Sequence, residues 1–383
     1  MDIANTLREQ VAGAPEQLEI ALLLGGESSE RVVSLASGIA AGAALSERGH
    51  RVTFFDPATL ARADVQGSVD RTELAARLGL KSSSDALVSE DVSPAEARRR
   101  SRRMVPSLAL LASDPVDVVF SLLHGGAGES GLVSGVLSML GVPYVGSDAL
   151  SSAAAMDKGI ALSVIEEHGV PVAAHTYWRD VTQPLTAAEV DLLGGYPVVV
   201  KPFAEGSTVG ITIVRESGDW ARAAEVGGPY VHPTRGLLVE HYVPGKELTV
   251  GMLGHDPLPL VEIVPQEGFY DFARKYTKGS SQYIVPAPVD ADLARRLQEH
   301  ARVAFRELGC RDFGRVDFRV SDDGEVACLE VNTIPGMTAT SLLPMAAKAI
   351  GIEFGELCEL LCRMGWKRGK GVGLGTPETS RVR

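Results

Sequence analysis

The sequence has few cysteines, no apolar run of membrane-spanning length and no excess of positive charge. Only four of its 383 residues are cysteines, and their spacing does not match a zinc site. The first residues lack the apolar core of a signal peptide, so we expect a cytoplasmic protein with no membrane partner. The net charge of −12 argues against a nucleic-acid partner, although a nucleotide needs only local positive charge.

Two apolar segments, R-V-D-F-R-V and E-V-A-C-L-E-V-N, carry acidic residues and flank the turn signal S-D-D-G. With Asp323-Gly324 as a two-residue turn, Asp317 faces Glu330 and Arg315 faces Asn332, all on one side of the hairpin. Opposed carboxylates repel each other, and carboxylate and amide oxygens are ligands for Mg²⁺ or Mn²⁺. The hairpin therefore predicts a metal site. The alternative is an exposed strand face with scattered charge.

The segment 198–214 predicts two strands joined by a glycine loop. Gly206 and Gly210 bracket a Ser-Thr pair, and glycines let backbone N–H groups approach phosphate oxygens closely. Lys201 adds positive charge at the end of the first strand. The segment lacks the G-K-[ST] of a Walker A loop, so an ordinary glycine hairpin is the alternative.

Further candidates for nucleotide binding are scattered along the chain. Lys158 is a second basic residue, for which the alternative is a solvated helix lysine. Glu240 and Glu247 are candidates for hydrogen bonds to an adenine amino group and ribose hydroxyls, or they are exposed carboxylates at strand ends. Lys275 and Tyr276 lie in an aromatic cluster, F-Y-D-F-A-R-K-Y, that is otherwise a surface loop.

The N-terminal part predicts a β-α-β unit, with strands at 19–24 and 51–55 and a helix at 34–48. G-G-E-S-S-E-R follows the first strand, which places Glu30 at the sheet edge where α/β proteins bind ligands. His124 ends another strand, predicted at 117–123, at the same edge. The segment lacks the G-x-G-x-x-G spacing of dinucleotide-binding folds.

Other segments give weaker predictions. Residues 58–115 predict only short helices, and an Ala-rich segment predicts one helix from 148 to 168, where Gly169 and Pro171 end it. The predicted division is a flexible extension at 1–18, an α/β substrate-binding domain at 19–147, a central subdomain at 148–236, a C-terminal subdomain at 237–363 and a mobile tail at 364–383.

Taken together in their order, the motifs resemble the D-alanine–D-alanine ligase family of the ATP-grasp superfamily. The matching stretches include G-G-E-S-S-E-R-V-V-S-L, L-H-G-G-A-G-E-S-G, V-K-P-F-A-E-G-S-T-V-G, G-R-V-D-F and L-E-V-N-T-I-P-G-M-T, and they cover residues 20 to about 362. The resemblance implies an α/β fold (α+β in the C-terminal half) of ATP-grasp architecture. Its N-terminal domain would be Rossmann-like with a parallel sheet.

The resemblance also implies the chemistry and the residues that perform it. ATP would phosphorylate the carboxylate of one D-alanine, and the amine of a second D-alanine would attack the acyl phosphate. The implied catalytic residues are Glu30, Ser207, Tyr276, Arg315 and Gly336, and the implied substrate-binding residues are His124, Ser341 and Leu342. The implied ATP-binding residues are Lys158, Lys201, Glu240, Tyr242, Val243, Glu247, Phe269 and Lys275. Asp317, Glu330 and Asn332 would hold two Mg²⁺ or Mn²⁺ ions, and the protein would be a homodimer.

Three alternatives stay open at this point. One is a relative that joins D-alanine to D-lactate or D-serine, or a dedicated dipeptide ligase; within the resemblance, tyrosine at position 276 favours dipeptide formation. The others are a catalytically inactive nucleotide-binding regulator and another ATP-grasp carboxylate–amine ligase. Ser130 departs from the family, in which aspartate is common at that position.

Overall fold

The structure is a computed structural model that describes residues 2–80, 93–114, 116–206, 208–265 and 281–371. The strands form three sheets, one from the N-terminal part of the chain, one from the central part and one from the C-terminal part. Helices and sheets are mixed throughout, which confirms the predicted fold class. None of the described helices is long and apolar enough to cross a membrane.

The N-terminal sheet is mostly parallel, as predicted. Its order is β3-β2-β1-β4, in which β1 pairs in parallel with β2 and β4, and β3 is an antiparallel edge strand. The strands are β1 (Glu19–Leu23), β2 (Arg51–Asp56), β3 (Ala61–Gln66) and β4 (Val118–Ser121). The helices are α1 (Ile3–Gln10), α2 (Arg31–Glu47), α3 (Arg71–Arg77), α4 (Pro94–Ala109), α5 (Gly126–Glu129) and α6 (Leu132–Met139), and a 3₁₀ turn spans Leu110–Ala112.

Helix α2 packs closely on this sheet because small residues face it. A Cβ atom at Gly42 would lie 2.2 Å from the ring of Phe54, so only glycine fits at this position. This packing places the start of α2, next to Glu30, at the carboxyl edge of the parallel strands.

The prediction for residues 58–115 was wrong in two respects. The segment contains the edge strand β3, and α4 has 16 residues instead of being a short helix. Pro94 begins α4 behind the N-cap Ser93, but Pro106 and a run of arginines obscure its helical pattern in the sequence.

The central part forms a sheet of order β5-β8-β6-β7 in which all neighbours are antiparallel. Its strands are β5 (His175–Trp178), β6 (Val198–Lys201), β7 (Thr212–Val214) and β8 (Leu237–His241). Its helices are α7 (Ala149–Met156), α8 (Lys158–Glu167), α9 (Ala187–Leu192) and α10 (Trp220–Gly227), with 3₁₀ turns at Ser217–Asp219 and Gly228–Tyr230.

The single helix predicted over 148–168 is two helices. Asp157 between them has an extended backbone (ψ 101°), and its side chain accepts a hydrogen bond from the backbone N–H of Ile160. Asp157 therefore ends α7 and caps the start of α8. This break makes Lys158 the first residue of α8.

The C-terminal part forms an antiparallel sheet of order β12-β11-β9-β13-β14, with β10 paired to β9. Its strands are β9 (Lys246–Leu253), β10 (Asp256–Pro257), β11 (Val261–Pro265), β12 (Ser281–Ile284), β13 (Phe313–Val320) and β14 (Val326–Asn332). Its helices are α11 (Ala291–Glu307), α12 (Leu342–Lys348) and α13 (Phe354–Gly371).

The division into segments differs from the prediction at three places. Strand β8 pairs with β5 and β6, so it belongs to the central sheet and not to the C-terminal subdomain. The predicted flexible extension contains α1, whose Leu7 is fully buried. The predicted mobile tail begins inside α13, which continues to Gly371 and packs Trp366 against the core. Residues 372–383 lie outside the described part.

One buried apolar cluster joins the N-terminal sheet to the C-terminal part of the chain. Phe54 and Phe120 of the sheet belong to the same cluster as Phe313 of β13 and Leu361 of α13. The sheet edge that carries Glu30 is therefore held against the C-terminal part, in which β13 and β14 lie.

Candidate functional site

A cleft lies between the central sheet and the C-terminal sheet. It encloses roughly 860 Å³ of space, part of which is open to solvent. Eight of the predicted site residues line this cleft: Lys158, Lys201, Glu240, Tyr242, Val243, Glu247, Asp317 and Glu330.

Lys201 and Glu240 form a buried ion pair inside the cleft. They come from the neighbouring strands β6 and β8, and their charged atoms are 2.6 Å apart. Both side chains are about 5% exposed. Their environment is therefore one in which electrostatic interactions are stronger than in water.

Lys158 links the central part of the chain to the acidic hairpin. Its ammonium group donates a hydrogen bond to the carbonyl oxygen of Glu205 at 2.8 Å and lies 3.0 Å from a carboxylate oxygen of Glu330. Burial by itself lowers the pKa of Lys158, but the charge of Glu330, aided by Glu240 and Glu129, raises the pKa on balance. Lys158 therefore stays protonated beside the glycine loop.

The hairpin pairs Asp317 with Glu330 and Arg315 with Asn332, as predicted. The predicted two-residue turn, however, is wrong. Ser321 and Glu325 are hydrogen-bonded to each other, which leaves a three-residue loop with Gly324 at φ 93°. A register shift between Asp317 and Phe318 then compensates, because it adds one residue to β14 and restores the predicted pairs.

The carboxylate of Asp317 is held by neighbouring side chains. Arg315 donates two hydrogen bonds to it, each 2.8 Å long, and the hydroxyl of Thr249 donates a third at 2.5 Å. In this structure the opposed carboxylates are thus balanced by the protein's own cations, Arg315 at Asp317 and Lys158 at Glu330.

These residues fit a hard divalent cation by the chemistry of their donor atoms. Asp317 and Glu330 offer carboxylate oxygens, and Asn332 offers an amide oxygen that also accepts a hydrogen bond from the backbone N–H of Ile334. Among the described residues, no group of three or more His, Cys, Asp or Glu side chains is placed to hold a metal ion. The predicted set contains only two such residues.

The N-terminal sheet contributes Glu30 at the start of α2. A Cβ atom at Gly125 would lie 2.8 Å from a carboxylate oxygen of Glu30, and one at Gly206 would lie 3.2 Å from it. Glu30 therefore sits between the loop after β4 and the glycine loop of the central sheet. This contact joins the two halves of the predicted site.

His124 belongs to a buried polar network at the same edge. One ring nitrogen lies 3.1 Å from the hydroxyl of Ser37, which also accepts a hydrogen bond from the backbone N–H of Met337. The other ring nitrogen lies 3.6 Å from the carboxylate of Glu129. Burial raises the pKa of Glu129, as does the nearby charge of Glu30, although the interaction with His124 opposes this.

Gly336, Ser341 and Leu342 lie together in the loop that leads into α12. The hydroxyl of Ser341 accepts a hydrogen bond from the backbone N–H of Thr338, and a Cβ atom at Gly336 would lie 3.1 Å from it. Leu342 is the first residue of α12. Through Met337 and Ser37, this loop is tied to His124.

Four predicted site residues, Ser207, Phe269, Lys275 and Tyr276, lie outside the described part of the chain. Conversely, sequence reasoning missed Ser37, Glu129 and Arg319. Glu129 lies within the motif L-H-G-G-A-G-E-S-G, five residues after His124, and Ser37 lies two residues beyond G-G-E-S-S-E-R-V-V-S-L. Their closeness to these motifs was the available signal. Arg319 lines the cleft, but its place in the alternation of β13 gave no signal on its own.

Comparison with known proteins identifies the family. The family model described as D-ala D-ala ligase N-terminus matches residues 19–147, and the model described as D-ala D-ala ligase C-terminus matches residues 164–363. The chain belongs to the D-alanine–D-alanine ligase family. A curated relative, the D-alanine–D-alanine ligase of Syntrophotalea carbinolica, is 38% identical over 90% of this chain and 95% of its own.

Solved structures of this ligase family agree with the fold. The D-alanine–D-alanine ligase of Bacillus anthracis complexed with ATP has a TM-score of 0.69 at 26% identity, over 93% of this chain and all of its own. The VanG D-Ala:D-Ser ligase of Enterococcus faecalis has a TM-score of 0.70 at 28% identity, over 91% of this chain and 99% of its own. These matches show the ATP-grasp ligase architecture over more than nine tenths of the chain.

Proposed function

We propose that the cleft between the central and C-terminal sheets binds ATP and that this chain uses it to join two D-alanines. The family is that of ATP-dependent ligases that form a peptide bond, and the dipeptide serves peptidoglycan synthesis. The observation that supports the site assignment is the gathering of two buried lysines, Lys158 and Lys201, with the Asp317–Glu330 pair in one cleft that adjoins Glu30.

ATP would lie along the length of the cleft. Tyr242 and Val243, which connect β8 to β9, would contact adenine. Glu240 would accept a hydrogen bond from the amino group of adenine, and Glu247 would bind the ribose hydroxyls. Lys158 and Lys201, with Lys275, would contact phosphates. Each buried lysine lies beside a carboxylate, Lys158 beside Glu330 and Lys201 beside Glu240, and the positive charge of the two lysines suits the phosphates of ATP.

Two Mg²⁺ or Mn²⁺ ions would be held by Asp317, Glu330 and Asn332. When bound, such ions neutralise the charge of the phosphate oxygens during transfer. Arg315, which is held in place by its two hydrogen bonds to Asp317, and the backbone N–H of Gly336 would stabilise the oxyanion of the tetrahedral intermediate.

The D-alanine sites would lie on the opposite side, at the edge of the N-terminal sheet. Glu30 would bind the ammonium group of the first D-alanine, in a set with Ser207 and Tyr276. His124, Ser341 and Leu342 would bind the second D-alanine. The link from His124 through Ser37 to Met337 supports this, because it keeps both parts of the second site at a fixed distance.

The choice of a second D-alanine over D-lactate or D-serine is part of the proposal. The sequence similarity to curated D-alanine–D-alanine ligases, over most of this chain, favours it. The structural match to the D-Ala:D-Ser ligase of Enterococcus faecalis keeps D-serine as the competitor to be tested.

We also propose a homodimer that works in the cytoplasm. Leu132 and Met139 of α6 and Leu150 of the adjacent α7 are strongly exposed, and such an apolar surface is typical of a subunit interface. The four cysteines are free and buried, which suits a reducing compartment.

The experiment that tests the function is ADP release against a panel of amino acids. We expect release that requires Mg²⁺ or Mn²⁺ and D-alanine and that is absent with L-alanine. Release that does not depend on any D-amino acid would contradict the proposal.

A further inference from the structure

Arg319 lies where the chain crosses from one sheet of the cleft to the other. Residues 242–245 connect β8 of the central sheet to β9 of the C-terminal sheet, and we call them the linker. Arg319 is on β13, directly opposite Glu247 of β9, and it lines the cleft.

We propose that Arg319 is a positioning residue for the nucleotide: its guanidinium fixes the linker and orients Glu247, and so sets the affinity for ATP. This inference rests on the proposed function, in which the linker contacts adenine and Glu247 binds ribose. Arg319 acts through these groups and does not itself touch the reacting atoms.

The contacts of Arg319 reach both nucleotide-facing groups at once. Its Nε donates a hydrogen bond to the carbonyl oxygen of Val243 at 3.0 Å, and its guanidinium carbon lies 5.4 Å from the ring centroid of Tyr242. Its Nη1 lies 3.9 Å from a carboxylate oxygen of Glu247. One planar group thus contacts two linker residues and the residue proposed to bind ribose.

The linker depends on such a contact because it lies outside both sheets. Its Tyr242 N–H is bonded to the carbonyl oxygen of Pro197 on the central side. On the other side a Cβ atom at Gly245 would lie 2.2 Å from the carbonyl oxygen of Val320, so the linker passes tightly over the end of β13. Arg319 is anchored at that point.

The apolar wall of the cleft moves with the linker. Val243 is buried with Ala173 and Ala327 in a small cluster of its own, and all three residues line the cleft. A shift of the Val243 backbone would therefore alter the surface that the proposal assigns to adenine.

The test uses the purified full chain and the variant Arg319→Met, which keeps an apolar stem but loses the donors. A hydrogen bond from a charged donor is typically worth a tenfold or larger change in an equilibrium, so we expect the KM for ATP and the Kd for ADP to rise about tenfold or more. The KM for D-alanine and the product are expected to be unchanged.

Arg311 offers a matched control. Its Nε donates to the carbonyl oxygen of Gly146 at 3.0 Å, its guanidinium lies 5.4 Å from the ring of Tyr144, and Asp148 is 3.8 Å away. These contacts are of the same kinds, but Arg311 does not line the cleft. Arg311→Met is expected to lose thermal stability while keeping the wild-type KM for ATP.

Arg319→Lys separates positioning from charge. Lysine cannot reproduce the planar donor fork, so its KM for ATP should lie near that of Arg319→Met. A wild-type KM for ATP in either Arg319 variant, or an equal rise of the KM for D-alanine, would overturn the inference. Failure of the wild type to bind ADP would instead contradict the proposed function, so the two failures are distinguishable.

Discussion

At the level of single residues, the proposed site is characterised by the balance of charge around Asp317 and Glu330. Their carboxylates face each other across β13 and β14, and each one is paired with a cation, Arg315 or Lys158. Removal of one partner leaves the other charge unpaired, which lowers the stability of the fold. Mutation of these residues is therefore expected to affect stability as well as turnover.

Glu330→Gln is expected to lower Mg²⁺-dependent turnover by about 100-fold or more. Mutation of a residue that only orients a metal ligand already lowers metal affinity or activity by about 10–100-fold, and Glu330 is proposed to be a ligand itself. It should also lower the melting temperature, since it leaves the buried Lys158 without the charge that raises its pKa. Steady-state kinetics across a Mg²⁺ titration measure the first effect. The control is Glu325→Gln, because Glu325 is exposed on the same hairpin. Near-normal turnover in Glu330→Gln would show that Glu330 is not a metal ligand.

Arg315→Lys keeps the positive charge but loses the fork that binds both oxygens of Asp317. Loss of one oxyanion donor typically lowers kcat by about 10²–10³-fold, and we expect a decrease of this size. The same exchange at the exposed Arg295 should have no effect. Wild-type kcat in Arg315→Lys would show that the guanidinium does not contact the oxyanion.

At the scale of elements, the two ends of the chain contribute to the folded core. Helix α1 buries Leu7, and its Arg8 forms a 2.7 Å ion pair with Glu356 of α13. Arg363 of α13 in turn donates to the carbonyl oxygen of Ala14. The N-terminal residues are thus part of the structure around α13.

Leu7→Ala is expected to lower the free energy of unfolding by about 2–5 kcal/mol, as is typical of a fully buried leucine. Chemical denaturation of the purified protein measures this. Glu9→Ala, which is exposed on the same helix, should change the free energy by less than about 0.5 kcal/mol. Equally small changes in the free energy of unfolding at both positions would instead support the prediction from the sequence that residues 1–18 are a flexible extension.

The hairpin shows how much the sequence could predict at this scale. The assumed Asp323-Gly324 turn predicted which residues of β13 and β14 face each other, and the alternation of side chains predicted that all four point to one side. The turn type was not predictable in the same way, since Asp-Gly occurs in two-residue and three-residue loops alike. The register shift after Asp317 offsets the extra loop residue, so the predicted pairs are correct although the predicted turn is wrong.

Other elements escaped prediction for local reasons. Asp157 was read as an interior residue of a long helix, although its side chain caps α8. The charge of α4 hid its apolar face, and β3 is an edge strand with exposed alternate residues. In the site, Ser37 and Glu129 were missed although they lie close to predicted residues, and the role of Arg319 became visible only when β9 and β13 were paired.

At the scale of the whole molecule, one apolar cluster joins the N-terminal sheet to the C-terminal part, and the cleft lies between the other two sheets. The proposed D-alanine sites and the proposed ATP site therefore meet at Glu30 and Gly206. Strongly exposed apolar side chains lie on α6 and on the adjacent α7.

The double variant Met139→Glu and Leu150→Glu is expected to convert the proposed homodimer to a monomer without loss of folding, because both side chains are strongly exposed in the single chain. Light scattering after size-exclusion chromatography measures the mass. Leu192→Glu on α9, equally exposed, is the control and should remain a dimer. A dimer that survives the double variant would place the interface elsewhere.

Mass spectrometry of the products, when ATP, D-alanine, D-lactate and D-serine are all present, tests directly whether the protein makes D-alanyl-D-alanine. The amine of the acceptor must be neutral when it attacks, so the measurement is made at neutral and at alkaline pH. The account predicts D-alanyl-D-alanine as the main product at both, with one ADP and one phosphate released for each dipeptide. A predominance of D-alanyl-D-lactate or D-alanyl-D-serine at both pH values would contradict it.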